Sequence, residues 1–149
     1  MRKTLIAAGT TCAVLTLLPV SMPTVASAAP RANLSSFICT QLAGVPSAPP
    51  IATSFSAAAG NMGVIARWRY ALDTAEAKLL VARRGHDSWR GELTKRANLA
   101  HSASIAAQKW WDTANVALED NAISSGEASR IRSDAQPAID RYRQLTKGC

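Results

Sequence analysis

Chemistry in this 149-residue chain has few places to reside: three cysteines, two histidines, four tryptophans and ten carboxylates stand among 17 Lys and Arg. Cys12 falls inside an apolar run near the start, leaving Cys39 and Cys149 as an even pair near the two ends of the remaining chain. In an oxidising compartment such a pair reads as a structural disulfide, and no CxxC redox motif competes with that reading. His86 and His101 are fifteen residues apart without an HxxxH or HExxH pair, so no metal site is expected. The stretch beginning at Asp120 fails as a calcium loop: its third position is Ala122, its glycine position is Ser125 and its twelfth is Ile131. Met62, Tyr70 and the two histidines are haem-ligand types, but no spacing groups them and no cofactor is expected. There is no GxSxG elbow for a nucleophilic serine. Asp73, Glu76, Asp87 and Glu92 read as solvated charges rather than a hydrolytic pair, so no catalytic residue is assigned.

Binding chemistry has a better location. No Asp or Glu occurs between Glu92 and Asp112, and Thr94, Lys95, Asn98, His101, Ser102, Gln108 and Lys109 form the polar face of one helical stretch. The expectation is a face on which Lys95, Arg96, His101 and Lys109 meet an anionic partner, with Trp110 as apolar anchor. Trp110 and Trp111 differ by 100° around a helix, so one seam cannot easily bury both. Neighbours on two sides must cover them, the arrangement that the small-residue seams favour, or one indole must serve as an anchor. The partner class is an anionic cell-surface polymer, a lipid head group or an acidic protein; nucleic acid is disfavoured by export and by the modest charge density.

Those residues need elements to position them. Alanine supplies 24 of the 121 residues after position 28, and alternating β-branched runs are absent, which predicts an all-α bundle of one short and three long helices. Asn33 caps a short helix carrying Leu34, Phe37, Ile38, Leu42 and Cys39, which Gly44 stops. Val45 to Pro50 is a semi-rigid, proline-rich linker. The second helix spans about Thr53 to Arg84, with an apolar stripe through Ile65, Trp68, Leu72 and Leu79 and a bend expected near Asn61 between Gly60 and Gly63. The third, about Trp89 to Asn121, carries two adjacent small-residue seams, one through Leu93, Ala97, Ala100, Ser104, Ala107 and Trp111, the other through Ala103, Ala106, Trp110 and Ala117. The last starts at a Ser124–Glu127 capping box and reaches toward Cys149, with a kink or break expected near Gln136 because Pro137 falls inside it.

Residues 1–28 have the pattern of a secretory signal: Arg2-Lys3, a short apolar run, then Ala26-Ser27-Ala28. Its removal leaves residues 29–149 as a single disulfide-linked domain with net charge +5 and no transmembrane segment, an extracytoplasmic protein. An alternative function comes from a resemblance. Ala71-Leu72-Asp73, Leu79-Leu80 and Arg83-Arg84 resemble the first helix of the all-helical chorismate mutases, some of them secreted and disulfide-bonded. That resemblance implies an enzyme in which Arg83 binds substrate carboxylates. The pattern then departs, with Thr94 at the family's lysine position, Lys95 beside it, and the later acidic residues missing.

Overall fold

The computed structural model describes residues 33–149, so the signal-like segment and Cys12 lie outside the described residues. Four α-helices follow in chain order: α1 (Leu34–Leu42), α2 (Phe55–Ala82), α3 (Arg90–Ala117) and α4 (Ser125–Leu145), with a 3-10 turn at Asp87–Trp89 before α3. No strand occurs among the described residues, and the fold is the all-α bundle that the alanine content and apolar spacing predict.

Local chemistry sets most of the boundaries. The Asn33 side chain accepts a hydrogen bond from the Ser35 amide at 3.0 Å, and Gly44, with φ of 95°, takes the left-handed turn that releases the chain from α1. At α4 the capping box is complete: Ser124 Oγ accepts from the Glu127 amide, while the Ser124 amide donates to Glu127 Oε2 at 2.8 Å. α3 ends at Ala117, four residues earlier than its pattern implies, and Asn121 adopts φ of 60° in the turn toward α4.

Two expected interruptions do not break their helices. α2 runs unbroken through Gly60 and Gly63, because Asn61 is buried there and donates from Nδ2 to the Pro50 carbonyl at 2.7 Å. α4 continues through Pro137, since packing of Ala135, Ala138 and Ile139 holds the segment helical where proline removes one backbone bond. The proline-rich segment is not a free linker either. Pro49 is buried, and Val45, Ala48 and Ile51 pack against the core, so the segment is a strap along the bundle.

α3 is the central rod. It packs along α2 on one side and α4 on the other, whereas the backbones of α2 and α4 stay further apart. Its two small-residue seams are therefore both covered, and alanines at 97, 100, 103, 106, 107, 114 and 117 allow close approach on each side. Three rings fill the wider space between α2 and α4. Trp68 is fully buried, with Tyr142 at 5.4 Å and Trp110 at 6.5 Å between ring centroids, both edge-on. Among the described residues the Trp68 Nε1 hydrogen finds no acceptor, a local cost that this packing must offset.

α1 is fastened at the far end of the chain. Cys39 and Cys149 form a disulfide with a Cα–Cα distance of 5.4 Å, closing a loop of 110 residues in sequence separation. Ser35 Oγ donates to the Gly148 carbonyl at 2.9 Å beside it. Phe37 of α1 meets His86 edge-on at 4.7 Å, and His86 stacks on Trp89 at 4.8 Å, closing the same end of the bundle.

Candidate functional site

Up-down-up topology brings the C-terminal turns of α2 and α4 together with the N-terminal turns of α3. Residues 78–96 and 139–149 therefore share one end, where nine Lys and Arg side chains face three side-chain carboxylates, Asp87, Glu92 and Asp140. The opposite end, built from residues 112–134, has five carboxylates against Arg130 and Arg132. Part of the basic excess complements the negative C-terminal ends of α2 and α4. Arg83, Arg84 and Lys147 make no ion pair within the described residues.

The residues expected on the third-helix face do not form one patch. Trp110 is only 1% exposed and packs on Trp68, so it is a core residue and cannot anchor a partner. Trp111 is half-buried on the side facing α2, where it lines a small cavity with Ile65 and Arg69. Sequence periodicity puts Trp111 and Trp110 on two adjacent seams, and the structure buries Trp110 the more deeply of the two. The difference follows from the width of the gap: the space between α2 and α4 takes a whole indole, and Trp110 is the one directed into it.

The polar residues of that face are distributed and paired. Lys109 Nζ lies 2.8 Å from Asp134 Oδ1, and His101 Nδ1 lies 3.0 Å from Glu76 Oε2, so the acids absent from α3 arrive from α4 and α2. Arg96 is largely buried. It donates from Nε to Glu92 at 2.9 Å and from its guanidinium to the carbonyls of Gln144 and Leu145, capping the end of α4. Lys95 remains exposed, 3.8 Å from Glu92, and belongs to the basic end. Of the five expected residues, Lys95 alone combines exposure with membership of an excess of like charge.

Two carboxylates are shifted by their surroundings. Burial pushes the Asp134 carboxyl upward, but hydrogen bonds from Lys109 and Thr113 and the Lys109 charge outweigh it and hold the group below the usual aspartate range. Hydrogen bonds from the Ser124 side chain and backbone lower Glu127. Burial raises the Tyr142 phenol.

The resemblance to the helical mutases can be placed as well. Arg83 Nη1 donates to Thr94 Oγ1 at 3.5 Å, so the side chain bridges α2 to α3. None of the five described cavities is lined by Arg83 or Lys95. Within the described residues no group of three His, Cys, Asp or Glu side chains is arranged to hold a metal ion, and no helix is long and apolar enough to cross a membrane.

Fold and surface together define a class: an all-α, disulfide-clamped bundle with a basic and an acidic end. No known protein family, curated protein or solved structure matches the chain.

Proposed function

We propose that this is an exported, non-enzymatic binding protein whose basic end engages an anionic polymer of the cell surface. One observation carries the reading: the topology gathers nine cations against three side-chain carboxylates at one end and reverses the balance at the other. A repeating polyanion suits such an end, because attraction summed over several charges steers and holds it without a shaped pocket. The disulfide supports export, since such bonds persist in oxidising compartments. The signal-like residues 1–28 supply the route.

The test is binding to a purified anionic wall polymer at rising salt. Exposed charges are screened beyond about 10 Å at 0.1 M salt, so affinity should fall steeply. Arg84→Glu with Lys95→Glu should weaken binding by roughly tenfold or more. Lys109→Glu and the opposite-end pair Arg130→Glu with Arg132→Glu should have far smaller effects. Salt-indifferent binding, equal loss from both ends, or preference for anionic vesicles over the polymer would overturn the reading. N-terminal sequencing of exported material tests cleavage after Ala28.

A further inference from the structure

We propose that the groove between α3 and α4 binds the C-terminal end of a short, apolar peptide, with Arg141, one of the nine cations counted at the basic end, as its carboxylate contact. The groove has a volume of about 440 Å³, within the range of small-ligand sites. Its floor is apolar: Ile105, 59% exposed, and Ala106 from α3 face Pro137 of α4. Two polar features on the α4 wall are left without their ordinary partners.

The first is a backbone carbonyl. Pro137 has no amide hydrogen, so the helical bond that residue 137 would donate to the Ser133 carbonyl is missing, and both residues line the groove. The second is Arg141, half-buried one turn beyond Pro137 and without an ion pair among the described residues. Side chains on a helix lean toward its N-terminus, which directs this guanidinium back along the groove. Asp134 also lines the groove, but its contacts are with Lys109 at 2.8 Å and Thr113 at 2.7 Å, and it forms no ion pair with Arg141 among the described residues.

The groove thus offers an unpaired cation at one end, an apolar floor, and a carbonyl lacking its helical donor near the other. A peptide terminus supplies the complementary sequence: a carboxylate for Arg141, an apolar side chain for Ile105 and Pro137, and an amide N–H for the Ser133 carbonyl. A fatty acid supplies the first two but no N–H donor, so the carbonyl favours the peptide.

The experiment titrates N-acetyl-Ala-Leu into the ¹⁵N-labelled, disulfide-bonded protein and follows amide shifts. Saturable shifts should cluster at residues 102–109 and 133–141. Amidation of the peptide C-terminus should weaken binding by roughly tenfold, and Arg141→Gln should abolish that preference for the free acid. N-methylation of the leucine nitrogen should weaken binding several-fold in the native protein. Pro137→Ala restores the amide donor to Ser133, and in that variant N-methylation should no longer matter. These changes lie on exposed or half-exposed positions, and the two peptide modifications need no variant at all. Absence of saturable shifts, shifts centred elsewhere, equal binding of acid and amide, or tighter binding of decanoate would overturn the proposal.

Discussion

The two ends of the bundle are held together by different means. At the basic end, restraint is long-range: a disulfide joins residues 39 and 149, Arg96 of α3 caps α4, and Phe37, His86 and Trp89 stack across three segments. At the acidic end, more of the restraint is local: the Ser124–Glu127 capping box and the left-handed Asn121 shape one turn from within, and the cross-helix tie is the contact of Thr113 and Lys109 with Asp134. A like-charged end needs fastening against its own repulsion, and there the chain is tied by contacts between residues distant in sequence. The acidic end has fewer charges to oppose and is shaped more by neighbours in the chain.

The contrast is broken most severely by cutting the clamp. Cys39→Ser with Cys149→Ser should cost up to about 4–5 kcal/mol on the chain-entropy account of a loop this long, read as a lower midpoint in urea. If the two ends were equally self-sufficient, the loss would be small. Next comes Arg96→Met, which leaves the Gln144 and Leu145 carbonyls without their cap; about 1–3 kcal/mol is expected in the same measurement. Ser124→Ala at the locally capped end should cost only about 1 kcal/mol.

The smallest effect is on pH dependence. Asp134 and Glu127 both have folded values below their unfolded ones, so their contribution is present above about pH 4 and is lost as pH falls through the depressed folded values. Thermal midpoints should therefore drop on acidification below about pH 4, and Asp134→Asn should lower the midpoint at pH 7 while flattening part of that drop. An Asp134→Asn protein with an undiminished acid transition would show that the acidic half does not depend on this carboxylate.

Helix number, the caps at Asn33 and Ser124, and the Cys39–Cys149 pairing were legible because each rests on local spacing or on the elimination of alternatives. The strap was not: proline spacing says that Val45–Pro50 is neither helix nor sheet, but its docking depends on Asn61, eleven residues beyond Pro50. The binding face failed for a related reason. An acid-free stretch of α3 reads as basic until Asp134 and Glu76 approach from other helices. The charged end could be found only after the topology placed residues 78–96 beside 139–149, an arrangement that no single window of sequence displays.

The alanines of α3 bear on how readily the bundle assembles. An alanine has no rotamers to lose, so ordering this central rod between its neighbours forfeits little side-chain entropy beyond that of the backbone. The same economy leaves little slack: a longer side chain at Ala100 or Ala107 would have to push whole helices apart, and tolerance to enlargement should be lowest along the rod that contributes the smallest side chains.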